Sequence, residues 1–369
     1  MEFAAVEQAL EEAAQRGVFP GAVLLVSRNG ETLFERAVGK RSIDADSAPM
    51  RPEVVFDLSS LTKPLATTLA FFALADEGRV ALDAPVAAAV PELAEHAKSA
   101  IIYRHLLAHS SGLPAHRRFF ERVGGRGGAV ESAHVGSDSA RAMMFDLVHR
   151  EPLESAPGAR AVYSDLGFIL LGEAIERLAA TRLDRFCHER IYAPLGIDEL
   201  TFFDLAAGVP SHRLPIAPTQ RCPWRGRLLR GEVDDENAFA MGGIAGHAGL
   251  FGTARSVDAL ARALLRAWRS DGGILRRATV DAMWTVDATV PGSTRALGWD
   301  TPAPERSMAG ARMSRHTVGH LGFTGTSLWI DLERSIGVVL LTNRVHPSRE
   351  GNQMAEVRPR IHDLIMEAI

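Results

Sequence analysis

The sequence predicts an α/β (α+β) fold in which an antiparallel sheet, built from both ends of the chain and flanked by helices, carries an inserted helical domain. Two observations lead to this prediction. Strand-like pairs lie near each terminus, and the long middle of the 369-residue chain has apolar residues at helical spacing. We therefore expect a sheet domain from residues 1–58 and 308–369 and a mostly helical inserted domain from residues 59–307.

The N-terminal elements follow from local signals. Residues 3–16 have an apolar stripe at helical spacing, which predicts an amphipathic helix. The strand-like runs 21–27 and 32–38 are joined by Asn29-Gly30, a dipeptide typical of two-residue hairpin turns. These signals predict a helix followed by a β-hairpin.

The remaining elements are read in the same way. A short extended segment, 54–58, leads into a helix over residues 60–75. Near the other end, residues 327–330 and 336–342 form a second strand pair, followed by a helix from about residue 354. A Gly-, Arg- and Ser-rich stretch that includes residues 124–128 predicts a mobile loop. Further helices are predicted in the middle of the chain at 103–109, 140–149, 167–179, 183–192, 256–270 and 279–284.

Composition excludes several classes of partner. The formal net charge of −4 gives no reason to expect nucleic acid or an anionic membrane, and no apolar run is long enough to span a bilayer. The N-terminal segment carries Glu7, Glu11 and Glu12 where a secretory signal needs a basic start, which predicts a cytoplasmic protein, or a periplasmic one if a leader has been removed. Cys187 and Cys222 lack metal-ligand spacing and are expected to be free thiols.

Ser60-Leu61-Thr62-Lys63 is the most informative segment. A serine three residues before a lysine on one helix places both side chains on the same face. A serine hydroxyl is a weak nucleophile until a neighbouring base takes its proton, and a partly buried lysine can be shifted toward neutrality to do so. The chain has only three lysines, and the other two, Lys40 and Lys98, do not follow a serine at this spacing.

Two further segments suggest partners for this serine. Tyr163 stands at a polar turn just before a predicted helix, and a phenol near a lysine ammonium has a lowered pKa, which suits a general base. The alternative is a core tyrosine at the start of the helix. In the segment 320–327, glycines at 322 and 325 allow close backbone approach to a ligand at the entry to a strand.

Taken in order, Ser60-x-x-Lys63, Tyr163-Ser164-Asp165 and His320-Leu321-Gly322 resemble the three motifs of the class C β-lactamase family, which also contains penicillin-binding D,D-peptidases, D-amino-acid peptidases and esterases. The resemblance covers about residues 21–343. It implies a β-lactamase/transpeptidase-like fold with the active site between the sheet domain and the inserted domain.

The resemblance also implies roles for single residues. Ser60 is expected to be the acylated nucleophile, Lys63 its electrostatic partner and Tyr163 the proton-transfer residue. The backbone N–H groups of Ser60 and Phe323 are expected to form the oxyanion hole.

The other motif residues are expected to border the substrate. His320, with Leu321 and Gly322, stands where many members of the family have a lysine. Asp165 stands where the family usually has asparagine. A carboxylate can accept a hydrogen bond from Lys63 but cannot donate one to a substrate carbonyl, which argues against a potent β-lactamase.

The expected function is therefore a serine acyl hydrolase acting on small esters, amides or D-amino-acid peptides, without a cofactor or metal. A true β-lactamase or a D,D-carboxypeptidase of cell-wall metabolism is the alternative within the family. A module that binds acyl or peptidyl ligands without turnover is the non-enzymatic alternative. A nucleophile elbow at Ser110 is a third possibility, but it needs a strand before the serine, where a helix is predicted.

Overall fold

Helices and short strands alternate through most of the described chain. The structure, a computed structural model, describes residues 3–123, 134–210, 214–351 and 353–369. Its strands are β1 (Gly21–Arg28), β2 (Glu31–Gly39), β3 (Phe56–Asp57), β4 (Thr201–Phe202), β5 (Arg221–Cys222), β6 (Arg227–Leu228), β7 (Leu250–Gly252), β8 (Thr317–Leu321), β9 (Ser327–Asp331) and β10 (Ile336–Thr342). Its α-helices are α1 (Ala4–Gln15), α2 (Leu69–Asp76), α3 (Glu92–Glu95), α4 (Tyr103–Leu107), α5 (Phe120–Val123), α6 (Asp138–Arg150), α7 (Asp165–Ala179), α8 (Leu183–Cys187), α9 (Glu236–Ala240), α10 (Ala254–Arg269), α11 (Arg277–Trp284) and α12 (Met354–Ala368).

The main sheet draws its strands from both ends of the chain, as predicted. Its five strands are antiparallel in the order β2-β1-β10-β9-β8. Strand β1 pairs with β10 from Ala22 opposite Thr342 to Arg28 opposite Ile336. The turn at Asn29 and Gly30 has positive φ at both residues, which matches the twist of the hairpin it joins.

Helices cover both faces of this sheet. Because side chains alternate along a strand, Leu24 and Val26 of β1 pack with residues of α1 and α12, while Val23 and Leu25 belong to the larger core on the other face. Helix α10 packs on that second face against β1 and β10. A sheet buried on both sides explains why β1 and β10 read as nearly continuous apolar runs.

The middle of the chain is mostly helical, and the predicted helices there are confirmed to within a few residues. The three-stranded sheet β3-β7-β4 and the hairpin β5-β6 were not predicted, since strands of two or three residues carry too little pattern. The division into residues 1–58 with 308–369 and residues 59–307 stays a prediction. Helix α10 packs on the main sheet although it falls within the second range.

The predicted mobile loop at residues 124–128 lies outside the described residues. In the part of the chain that the structure describes, no helix is both long and apolar enough to cross a membrane. Cys187 and Cys222 are buried free thiols, as predicted.

Candidate active site

Ser60 and Lys63 lie on a continuous run of helical turns. A 3₁₀ turn, Ser59–Leu61, is followed by a π-helical turn, Lys63–Thr68, and then by α2. Lys63 Nζ lies 3.0 Å from Ser60 Oγ and also donates to Asp165 Oδ1 at 2.8 Å and to the main-chain oxygen of His247 at 3.1 Å. These contacts hold the buried lysine in one position against the serine.

The second motif lies at the N-terminus of α7. Ser164 caps the helix: its Oγ accepts from the Gly167 N–H at 3.1 Å and donates at 2.6 Å to the Pro114 carbonyl, fifty residues earlier in the chain. Asp165 is the first residue of the helix, where the helix dipole favours a negative charge. The anchored cap fixes Tyr163, whose ring centroid lies 4.8 Å from Lys63 Nζ.

Lys63 is a cation in this site, which fits the electrostatic partner expected for Ser60 rather than a lysine that burial has turned into a neutral base. Burial acts to lower the pKa of Lys63, but the charge of Asp165 and hydrogen bonding to Asp165 and Tyr163 outweigh it, and the pKa is raised. Burial acts to raise the pKa of Asp165, and Lys63 and His116 outweigh it in turn, so that its pKa is lowered. Lys63 and Asp165 therefore form a charged pair at neutral pH.

The prediction of a lowered pKa for Tyr163 is wrong in its net direction. Burial raises the pKa of Tyr163, and the lowering effect of Lys63 and of hydrogen bonding to Lys63 and Ser60 does not overcome it. The Asp165 carboxylate adds to the rise. The resting phenol is therefore neutral, and the phenolate is a minor form that the neighbouring ammonium supports.

The third motif ends β8 and forms the turn to β9, whereas the sequence indicated the entry to a single strand. His320 is buried and its Nδ1 bonds the Leu321 carbonyl at 2.8 Å; burial lowers its pKa to about 3, so the imidazole is neutral. Leu321 packs partly against the core beneath α1 and α12, away from the serine. A Cβ on Gly322 would come within 2.6 Å of the Leu58 carbonyl oxygen, so glycine is needed for this turn to reach the nucleophile segment.

Phe323 borders the serine directly. Its N–H donates to Ser59 Oγ at 3.2 Å, so a substrate carbonyl would have to replace that hydroxyl to use this donor. Its side chain is 50% exposed, with the guanidinium groups of Arg344 and Arg349 4.8 and 5.5 Å from the ring centroid.

Ser60, Tyr163, Asp165 and Phe323 line one cleft of about 310 Å³. His320, Leu321 and Gly322 do not line it. His320 lies behind Tyr163, with the two ring centroids 5.9 Å apart. The structure thus brings the predicted nucleophile, lysine, tyrosine and oxyanion donor together. The third-motif residues support them from behind.

Sequence reasoning missed several charged residues of the cleft. His116 Nδ1 lies 3.7 Å from the outer oxygen of Asp165, which raises the pKa of His116. Asp235 receives a hydrogen bond from His247 at 2.8 Å, and although burial opposes it, this partner lowers the pKa of Asp235 to about 2. The Arg295 guanidinium lies 5.3 Å from the Tyr163 ring centroid. No spacing in the sequence points to these contacts, because none joins residues close enough for a helix or strand period to bring them together.

The alternative nucleophile Ser110 does not reach the cleft. Its side chain is fully buried, and helix α4 rather than a strand precedes it. Arg117, in the loop before α5, is paired with Glu151 and Glu154 at 2.7 and 3.0 Å.

Comparison with known proteins agrees with this geometry. The sequence model of the Beta-lactamase family matches residues 6–361. The chain belongs to the Beta-lactamase family. Its curated relatives are named as an amidase and as carboxypeptidases, which are hydrolases, and the chain is a serine β-lactamase-like hydrolase.

Two curated relatives match most of the chain. It is 31% identical to "N-acetylmuramyl-L-alanine amidase" of Bacillus subtilis (strain 168), over 92% of this chain and 80% of the relative. It is 29% identical to "Putative D-alanyl-D-alanine carboxypeptidase" of Escherichia coli (strain K12), over 89% of this chain and 79% of the relative. Among solved structures, "EstCE1, a hydrolase with promiscuous acyltransferase activity" has a TM-score of 0.75 at 22% identity, over 98% and 97% of the two chains, and shares the fold.

Proposed function

We propose that this chain hydrolyses small amides and esters through an acyl-enzyme formed on Ser60. The observation that supports this most directly is the contact of 3.0 Å between Ser60 Oγ and a charged Lys63, which Asp165 holds in place beside Tyr163. A serine with a fixed cation and a phenol beside it has what acyl transfer needs: a nucleophile, a proton acceptor and a charge that supports that acceptor.

In the acylation step, Tyr163 reacts as the phenolate supported by the Lys63 ammonium. The phenolate takes the Ser60 proton while Oγ forms a bond to the acyl carbon, and the N–H groups of Ser60 and Phe323 hold the developing oxyanion. As the bond to the leaving group breaks, Tyr163 passes this proton to the departing alcohol or amine. Deacylation repeats the sequence with water: its oxygen bonds the acyl carbon, its proton moves to Tyr163, and the proton then returns to Ser60 as the ester bond breaks.

Amides of the peptide type are the substrate class we favour, and simple esters are the second. The relative with 31% identity is named as an amidase and the relative with 29% identity as a carboxypeptidase, both of which cleave amide bonds. Asp165 can only accept hydrogen bonds when ionised, so it offers no donor to the amide side chain of a penicillin. A β-lactamase or D,D-carboxypeptidase activity is the alternative.

Replacement of Ser60 tests the proposal. Ser60→Ala should abolish both hydrolysis of p-nitrophenyl acetate and labelling by a fluorophosphonate probe, measured by intact-protein mass. Ser110→Ala is the matched control, since this serine is buried away from the cleft and should keep most of the activity. Labelling that persists in Ser60→Ala and disappears in Ser110→Ala would contradict the assignment.

A side-by-side screen tests the substrate class. The panel is N-acetylmuramyl-L-alanine, a D-Ala-D-Ala peptide, p-nitrophenyl acetate and nitrocefin, each ranked by kcat/KM. We expect the amide of the first or second compound to be cleaved and nitrocefin to rank last. The cytoplasmic location stays a prediction, which fractionation of cells that produce the full-length protein would test.

A further inference from the structure

Asp57 is a buried carboxylate three residues before Ser60 that no part of the proposed mechanism uses. It ends β3, and the residue is 2% exposed. Its Oδ1 accepts the Ser59 N–H at 2.8 Å, and its Oδ2 accepts the Asp234 N–H at 2.6 Å. One carboxylate therefore joins two cleft-lining segments that are far apart in sequence, the nucleophile turn and the segment 234–236.

The main chain beside this carboxylate is tied to the oxyanion turn. Thr324 Oγ1 donates to the Asp57 carbonyl at 2.8 Å, and Thr326 Oγ1 donates to the Leu58 carbonyl at 3.1 Å. Both threonines belong to the turn that contains Phe323. The Asp57–Leu58 segment thus fixes the nucleophile turn relative to the proposed oxyanion donor as well.

The turn that Asp57 closes is strained. Ser59 has φ +50°, the left-handed conformation that residues with a side chain seldom adopt. Aspartate commonly stabilises such turns by accepting a hydrogen bond from the N–H two residues later, which is the bond made here. Loss of that acceptor would let Ser59 relax and would move Ser60 with it.

We propose, on the basis of the acyl-enzyme chemistry proposed for Ser60, that ionised Asp57 is a positioning residue. It keeps the nucleophile turn and the segment 234–236 in the arrangement needed for acylation, and protonation of Asp57 releases this arrangement. Protonation turns one carboxyl oxygen into a hydroxyl, which is a donor and a much weaker acceptor of an N–H than a carboxylate oxygen. At least one of the two backbone bonds is then weakened.

The surroundings of Asp57 make this protonation accessible near neutral pH. Burial raises its pKa to about 7, and the charges of Asp234 and Asp235 add to the rise, while the two N–H donors oppose it. Among the described residues no cation forms an ion pair with Asp57. Asp234 is itself paired with Arg349 at 2.8 Å and Asp235 with His247. The other groups packed on Asp57, Phe251 of β7 and Thr324 of the β8–β9 turn, carry no charge.

The test compares the wild type with Asp57→Asn as a function of pH. Asparagine has about the same shape as aspartate but must present its NH₂ to one of the two N–H groups, so it resembles the protonated state. We expect the rate of fluorophosphonate labelling to fall about 10²-fold at pH 9. The ratio of wild type to variant should shrink roughly thirtyfold by pH 5.5, where the wild-type carboxylate is itself mostly protonated. Titration of Tyr163 cancels in this ratio because both proteins contain it.

Asp258→Asn is the matched control. Asp258 is also a buried carboxyl with a raised pKa, but it bonds Ser27 at 2.6 Å and pairs with Arg262, and none of these three residues lines the cleft. The ratio of the wild-type labelling rate to that of Asp258→Asn should stay near one across the pH range. A ratio for Asp57→Asn that is independent of pH would mean a purely structural role and would overturn the proposal.

A wild-type measurement keeps the proposal testable even where Asp57→Asn does not fold. The logarithm of the labelling rate should rise with a slope near two below pH 7, from Asp57 and Tyr163 together, and near one above it. A slope of one throughout would contradict the role of Asp57 while leaving the role of Ser60 intact. Failure of Ser60 to take the label in the wild type would instead contradict the proposed function itself.

Discussion

Asp57→Asn should change how the stability of the protein depends on pH. The pKa of Asp57 is raised from its ordinary value of 3.8 to about 7 in the folded state. Between these two values the folded protein keeps a proton that the unfolded chain releases. The free energy of unfolding therefore decreases as pH rises through this window, and the contribution is most favourable below about pH 4. Asparagine removes this dependence.

The magnitude follows from the size of the shift. A difference of about three pKa units, each worth about 1.4 kcal/mol, makes the ionised Asp57 cost about 4 kcal/mol of folding free energy at alkaline pH. Most of this cost develops between pH 5 and pH 8, where it amounts to about 2–3 kcal/mol. The free energy of unfolding of Asp57→Asn minus that of the wild type should rise by this amount between these two pH values. The new N–H contacts of the amide add an offset that does not vary with pH.

Urea unfolding followed by circular dichroism at pH 5, 6, 7 and 8 measures this difference. Glu92→Gln is a suitable control, because the hydrogen bond from Arg177 lowers the pKa of Glu92 to about 2 and its titration falls below the measured range. Its difference from the wild type should be nearly constant. A difference for Asp57→Asn that is equally constant, within about 0.5 kcal/mol, would refute the argument that Asp57 titrates near neutral pH. If the argument holds, Asp57 lowers stability under the conditions in which it supports acylation, an exchange common at functional sites.

Three further outcomes are expected. Lys63→Ala and Tyr163→Phe should each lower kcat by at least about 10²-fold. The double variant should lose far less than the product of the two single losses, because both residues act on one proton transfer, and losses that multiply would contradict this. Wild type should prefer p-nitrophenyl acetate to nitrocefin in kcat/KM, and Asp165→Asn should shift that ratio toward nitrocefin because the amide supplies a donor, whereas an unchanged ratio would argue against it. Gly322→Ala should lower the free energy of unfolding by about 1–3 kcal/mol and slow Ser60 labelling, since the added Cβ would come within 2.6 Å of the Leu58 carbonyl oxygen. No change in either the unfolding or the labelling assay would contradict this close approach.

The charges of the cleft are paired throughout. Asp165 is paired with Lys63, Asp235 with His247, and Asp234 and Glu236 with Arg349. Because Asp234 and Glu236 share one guanidinium, a carboxylate on the acyl group would meet an excess of negative charge. We therefore expect neutral acyl groups to be preferred over acyl groups that carry a carboxylate.

Much of the fold was determined by local sequence. The Asn29-Gly30 turn, the apolar runs of β1 and β10 and the helical spacing of α7 and α10 are signals within about fifteen residues, and they predicted elements that the structure confirms. The contact between Ser60 and Lys63 was predictable for the same reason, because three residues on a helix fix the distance whatever surrounds them.

Tertiary structure decided what surrounds that pair. Asp165 and Lys63 are 102 residues apart, and the bond from Asp234 to Asp57 spans 177 residues. The resemblance to known motifs implied the first of these contacts, but no local pattern indicates either. The pKa directions of Lys63 and Tyr163 depended on the same long-range contacts, and the net direction expected for Tyr163 was wrong. The sequence indicates which charges are near in the chain, but the sign of a pKa shift depends on the balance between burial and partner charges, and both terms exist only after the chain has folded.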